Sequence, residues 1–271
     1  MTLLPSIMRS TRSISVLCAL VVGIALLTMT GCDSTGSSTA GGNVEVGFGT
    51  ATSSSAQTAT ASQTAAQSVG TDSLLLSGSN GTLRITDIRL IVDEIELEGD
   101  ADSAEFETDR PSFLDLPLQE GEVSPVAADR VPPGLYEDFE FEIEDIELDD
   151  VDEEGEVRDL RGEIREDFPN WPNEASMVVV GTFTTSNDTS RTFETYFEAE
   201  IEVERELNPP LEVTSDGFSR ELIVRLAPSQ WFENADGTVQ DLSQSDFEET
   251  GEVVEFEAEF EDGVTEIEFD D

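Results

Sequence analysis

The sequence predicts a mainly-β fold: an antiparallel β-sandwich of about ten short strands with one short helix. Three observations predict it. Apolar and acidic residues alternate over whole segments, as in Phe197, Ala199, Ile201 and Val203 against Glu198, Glu200, Glu202 and Glu204. That period of two gives each strand one face for a core and one for water. Gly and Pro turns punctuate these segments, and only one stretch has a convincing helical period. The nearly 200 residues from 73 onward suffice to bury a single core without disulfides.

In chain order, Val44, Val46 and Phe48 alternate within 43–50 and read as a first strand. Residues 51–72 form a Ser/Thr/Ala/Gln tract without periodicity, read as a disordered loop. Leu74-Leu75-Leu76 leads into Asn80-Gly81, a hairpin turn signal, and then into a long run over 82–98. There Ile88, Leu90 and Val92 share one face, whereas Ile95 and Leu97 are displaced by one residue. A β-bulge near Asp93-Glu94 reconciles the halves. A short strand at Phe113–Leu116 lies between Pro111 and Pro117. Pro132-Pro133-Gly134 turns into a second long strand carrying Phe139, Phe141 and Ile143, with a similar shift to Ile146 and Leu148. The segments 93–98 and 144–149 are near copies, read as similar strand edges.

Leu160, Ile164 and Phe168 recur at helical spacing, and Pro169 ends the pattern. Met177–Thr184 is apolar enough for burial on both faces. After the alternating run through Val203, further strands are expected at 211–213 and 221–226, then a short turn or helix at 228–232. Val254, Phe256, Ala258 and Phe260 alternate with glutamates, and Asp262-Gly263 turns the chain back into 264–269. Val253, Phe256 and Phe260 offer a helical alternative; the Asp-Gly turn favours the hairpin. Trp171 and Trp231 read as core plugs rather than sugar platforms. Asn80-Gly81-Thr82 and Asn187-Asp188-Thr189 read as turns rather than glycosylation sites.

The N-terminal region carries a different message. Arg9 and Arg12 precede an apolar run, Ile14–Leu27, of about 14 residues, too short to span a bilayer but suited to a signal peptide. Met29-Thr30-Gly31-Cys32 follows and resembles the cleavage site of bacterial lipoproteins. That resemblance implies cleavage before Cys32, with Met29, Thr30 and Gly31 as the recognition residues and acylation of the Cys32 thiol. Residues 1–31 are then the signal peptide, 32–42 a flexible tether and 43–271 one domain. Two or three acyl chains, at roughly 0.8 kcal/mol per buried CH₂, would hold the protein on a membrane without a spanning helix. Cys18 would leave with the leader, so the mature chain has neither an intrachain disulfide nor a cysteine-based zinc site.

Charge narrows the partners. The chain has 61 Asp+Glu against 13 Arg, with no Lys and no His. Both leader charges are Arg, so the mature part has 61 acids against 11 Arg, or −50. Without a basic footprint, nucleic acid is excluded as a partner. An anionic bilayer would repel such a domain, leaving the lipid as its hold on the membrane. The lack of lysine and excess of acid resemble proteins of extreme halophiles, where a Debye length of about 3 Å in molar salt weakens self-repulsion.

Gly81-Thr82-Leu83, Thr86-Asp87, Pro111–Leu116 and Val131–Tyr136 together resemble a family of exported bacterial lipoproteins with a β-rich domain. The likeness covers roughly residues 44–149. The later half is similar to acidic lipoproteins of salt-loving bacteria through Asn208-Pro209-Pro210 and Ser229–Phe232. The family implies export and lipid anchoring, and it has no assigned activity to transfer.

Without His or Lys, and with Cys32 committed to lipid, most catalytic arrangements cannot be built. Nucleotide-binding glycine loops are absent as well. A glycosidase needs only two carboxyls about 5 to 10 Å apart, a spacing that chance supplies among so many acids. No cofactor is expected, calcium excepted. Asp150, Asp152 and Glu154, with Gly155, resemble the start of a calcium loop, but Arg161 stands where the bidentate Glu belongs. A solvated acidic loop is the simpler reading. The expectation is a non-enzymatic envelope protein with a structural or binding role and a protein or glycan partner. A calcium-dependent or glycan-binding adhesion module is the alternative, and a carboxylate glycosidase the third.

Overall fold

The computed structural model describes residues 41–51, 68–70, 73–99, 105–108, 110–119, 121–146, 156–215 and 219–270. The first half carries β1 (Gly42–Thr50), β2 (Ser68–Gly70), β3 (Ser73–Gly78), β4 (Gly81–Gly99) and β5 (Glu105–Thr108). Next come β6 (Ser112–Asp115), β7 (Ser124–Val131), β8 (Gly134–Ile143) and helix α1 (Glu156–Asp167). Then follow β9 (Met177–Thr185), β10 (Ser190–Glu198), β11 (Ile201–Val213) and β12 (Ser219–Leu226). The chain continues through α2 (Pro228–Phe232), α3 (Phe247–Thr250), β13 (Val254–Glu255), α4 (Glu257–Asp262) and β14 (Val264–Asp270). The fold is mainly β and sandwich-like, richer in strands and helices than the sequence suggested.

A small sheet has the order β14-β12-β1-β7 and a large one the path β11-β8-β4-β9-β10-β13, with β2, β3, β5 and β6 attached beside β4. Most pairings are antiparallel, as expected, while β1 runs parallel to β12 and β10 parallel to β13. Nothing in a strand's own alternation reveals the direction of its neighbour.

β4 organises the large sheet because it is long enough to serve several partners on each edge. Leu90 lies opposite both Met177 of β9 and Leu114 of β6; Val92 lies opposite both Ile143 of β8 and Ser112 of β6. Strands β9 and β8 therefore follow one another along one edge. Strands β3, β6 and β5 line the other. The expected bulge is present, as the register with β8 shifts between Val92 and Ile95. A second shift, between Ile85 and Asp87, leaves Thr86 as the extra residue and returns Ile88 to the core face.

The two sheets share one core. Val44, Val46 and Phe48 of β1 are buried, as their alternation predicted, together with Leu83, Leu90 and Leu97 of β4 and Phe139 and Phe141 of β8. Phe48 meets Phe141 edge to face at 5.2 Å, joining the sheets. On the opposite face of the large sheet, Leu160, Ile164 and Phe168 of the predicted helix pack on Ile91, Val178 and Tyr196. Val178 thus points away from Met177 and Val179, which is the two-sided burial expected of β9. Trp171 is buried in the helix-side cluster, its Nε1 donating to the Ala175 carbonyl at 2.8 Å.

Several expectations are corrected. The hairpin turn is Ser79-Asn80, with Gly78 opposite Gly81, one residue earlier than the Asn-Gly signal. Asn80 is held by a distant segment: its amide donates to the Val239 carbonyl, and the Val239 N–H donates to its Oδ1. The run 197–203 is two strands, broken at Ala199-Glu200, so that β10 pairs with β9 and β11 with β8. Buried Ser176 bridges the break: its hydroxyl donates to the Ala199 carbonyl and accepts from the Ala199 N–H. Strand β8 ends at Ile143, and Ile146 joins the helix-side cluster instead of continuing a shifted strand. The tract 51–72 includes β2, which pairs with β3. Strands β5 and β7 carry weak alternation and escaped the reading.

The C-terminal hairpin is also replaced. Residues 257–262 form α4, and β14 pairs with β12. The helical spacing of Phe256 and Phe260 prevails because both rings meet α2. Phe260 stacks on Trp231 at 4.9 Å, and Phe256 on Phe232 at 5.7 Å.

Candidate functional site, a carboxylate face on the large sheet

The outward residues of the second half of β4, of β8 and of the first half of β11 are mostly acidic, while their inward neighbours Ile95, Leu97, Phe139, Phe141, Ile201 and Val203 fill the core. Strand pairing then sets the acids side by side. Glu107, Glu96, Glu140 and Glu204 form one row across β5, β4, β8 and β11. Glu105, Glu98, Asp138 and Glu206 form the next. Glu142 lies opposite Glu202 beyond them. Adjacent strands are only about 4.8 Å apart, and like charges directly opposite destabilise a sheet.

The protonation equilibria record this crowding. Glu96 is pushed up to about 7, first by partial burial and then by Glu98, Glu140, Glu107 and Glu105. Glu140, Glu142 and Glu144 are raised for the same two reasons in the same order. Two triads bring carboxylate oxygens within 4.8 Å of one another: Asp93, Glu142 and Glu144, and Glu140, Glu142 and Glu202. Beside them is a recess of about 210 Å³ that also involves Glu200. Hard cations such as calcium take several carboxylate oxygens, so Glu142, common to both triads, is the residue on which cation binding here would turn.

A second feature lies at the other end of β4. Arg89 pairs with Asp87 at 2.8 Å, Asp115 at 3.2 Å and Asp167 at 3.8 Å, and its guanidinium sits 5.8 Å from the Phe113 ring centre. These contacts tie β4 to β6 and to the last turn of α1. Asp115 is raised by burial, an effect that Arg89 opposes. A cavity of about 590 Å³ opens beside this group, lined by Thr86, Asp87, Asp115, Gln119 and Glu122 among others. Three ion pairs to one arginine, joining two strands and a helix, suit a structural clasp better than a general acid.

None of the site residues named from the sequence is among the described residues. Met29, Thr30, Gly31 and Cys32, and the calcium candidates Asp150, Asp152 and Glu154, are outside the described residues. The glutamate face expected at 255–261 does not form as a strand face, because 257–262 are helical. Of the face expected at 198–204, Glu202 and Glu204 join the rows through β11. The alternation of Glu140 and Glu142 with Phe139, Phe141 and Ile143 was legible; its pairing with Glu96 and Glu98 was not. No helix among the described residues is long and apolar enough to cross a membrane. Comparison with protein-family models, with curated proteins and with solved structures finds no match to this chain.

Proposed function

We propose that this is a lipid-anchored protein of the bacterial cell envelope, held at Cys32, whose β-sandwich has a non-enzymatic structural or binding role in a salt-rich medium. The carboxylate rows carry the second half of this reading. Four acids abreast on paired strands are costly in dilute solution and tolerable where dense counterions screen them. The leader, the Met29–Cys32 sequence and the likeness to acidic envelope lipoproteins support the anchor. Metabolic labelling with a fatty acid tests it directly. Wild-type protein should take up label and Cys32→Ser should not; a wild type that stays unlabelled overturns the anchor.

Calcium-dependent adhesion is the second reading, favoured by the two triads that share Glu142. It predicts that calcium raises the unfolding midpoint in saturating fashion at matched ionic strength, and that Glu142→Gln abolishes the rise. If the midpoint follows bulk salt alone, the acids serve solvation and the search moves to protein or glycan partners.

A further inference from the structure

The outer edge of the small sheet names a partner for the binding role proposed above, and the inference rests on that half of the reading. Strand β14 ends the sheet, and among the described residues no strand pairs with its far side. Hydrogen bonds at its start fix which main-chain groups face outward. The Ala227 N–H donates to the Gly263 carbonyl at 2.8 Å, and the Arg225 carbonyl accepts from the Thr265 hydroxyl at 3.1 Å. Leu226, between them, turns the other way, its carbonyl accepting from the Ala51 N–H at 2.7 Å. Odd-numbered residues of β12 therefore face β14. Their partners Glu266 and Glu268, opposite Arg225 and Ile223, bond back to β12. Ile267 and Phe269 direct their N–H and C=O groups to the open side.

The side chains of Val264, Ile267 and Phe269 pack on the core but stay only partly buried. A groove of about 190 Å³ lies between them and Arg205, Glu206, Leu207 and Asn208 of β11. Buried Leu207 gives its far wall an apolar face, whereas Glu206 and Glu266 are exposed at its rims. Both nearby arginines are engaged. Arg205 donates to the Glu204 carbonyl at 2.9 Å, and Arg225 pairs with Glu268 at 3.6 Å. Glu204, Glu206, Glu266 and Glu268 thus outnumber the arginines, on a chain of −48 overall.

These features specify an occupant. Open main-chain groups along a sheet edge are met by another extended polypeptide, which adds a strand. Its residues opposite Ile267 and Phe269 share their face and enter the groove, so they are apolar. Those opposite Glu266 and Glu268 stand beside carboxylates, where Lys or Arg is favourable and a further acid is not. A second copy of this chain fails that condition, because it has no Lys and its strands alternate apolar residues with Glu. We infer that the β14 edge is a docking site for an extended segment of a partner protein in which basic and apolar residues alternate. Ladder bonds and groove contacts hold the segment at short range, where salt screens little, and the charges select it.

The experiment titrates the full-length protein in detergent against a fluorescein-labelled octapeptide of alternating lysine and valine, read by fluorescence anisotropy. Saturable binding is expected. N-methylation of the valines deletes the ladder bonds but keeps the charges, and should weaken binding by more than about tenfold. A glutamate–valine octapeptide, with the charge pattern of this chain's own strands, should not bind. Glu266→Lys should weaken the lysine peptide several-fold more than Glu140→Lys, the same charge change on the face of the large sheet. Undiminished binding of the N-methylated peptide, or equal losses in the two variants, would reflect attraction to the acidic surface at large and overturns the inference. Binding of the glutamate peptide would admit a second copy and overturns it too, as does a lysine peptide that never saturates. The N-methyl comparison needs no variant, so it decides the matter even if Glu266→Lys does not fold. Each of these failures leaves the Cys32 anchor standing, because fatty-acid labelling reports it separately.

Discussion

Gly263 shows how a single position decides the C-terminal fold. Its backbone is ordinary, at φ −85°, yet a Cβ there would lie 1.9 Å from Trp231 Nε1. That indole donates to the Phe260 carbonyl at 3.1 Å and stacks on the Phe260 ring, so it cannot retreat without losing both. Gly263→Ala should destabilise the protein by about 1–3 kcal/mol, the usual cost of overpacking, read as a lower urea midpoint with tryptophan fluorescence. Gly162 is the counterpart, lying within α1 with nothing within 4 Å of a built Cβ. Gly162→Ala should stabilise by about 0.5–1 kcal/mol in the same measurement, because alanine loses less entropy in a helix. Glu96 acts through protons rather than packing. With its pKa pushed up to about 7, the folded state binds a proton more tightly than the unfolded chain between the ordinary value of 4.5 and 7. Stability is therefore full below that window and declines as pH rises through it. In dilute buffer the unfolding midpoint should fall from about pH 5 to about pH 8, and Glu96→Gln should flatten the fall.

Among the elements, α1 was the most legible and the easiest to test. Leu160, Ile164 and Phe168 gave its phase, and the same residues bury it against Ile91, Val178 and Tyr196. Ile164, fully buried there, should cost about 2–5 kcal/mol when changed to Ala, by denaturant unfolding. Legibility followed how local the determining forces are. The bulge after Val92 and the alternation of β1 are written in adjacent residues. The break at Ala199 is not: it depends on Ser176, 23 positions away, which replaces the ladder bonds that β10 gives up. Residues 253–261 satisfied both a strand and a helix period, and the arbiter was Trp231 on a distant element. The carboxylate rows failed for the same reason. Each strand announced its acidic face, but only the register of β5, β4, β8 and β11 shows that the acids stand opposite one another.

The whole molecule raises the question of whether its acidic surface is a burden that salt relieves. The Debye length is about 8 Å at physiological ionic strength and about 3 Å at molar salt, while neighbouring strands lie about 4.8 Å apart. Molar salt thus removes repulsion between rows and weakens it within them. Glu140→Gln, in the middle of a row, should stabilise by up to about 1 kcal/mol in dilute buffer, and the gain should shrink in molar sodium chloride. Protonation and salt then relieve part of the same cost, which allows their effects to be separated. Partial burial is the first cause of the raised Glu96 and the neighbouring carboxylates the second. Salt screens only the second. The pH slope of the wild type should therefore flatten in molar salt without vanishing, measured as the unfolding midpoint on a grid of pH and sodium chloride. A slope untouched by salt would assign the shift to burial alone and remove the rows as the reason for an acidic surface. A slope abolished by salt would make repulsion the whole cost, and the rows the principal link between this fold and a brine environment.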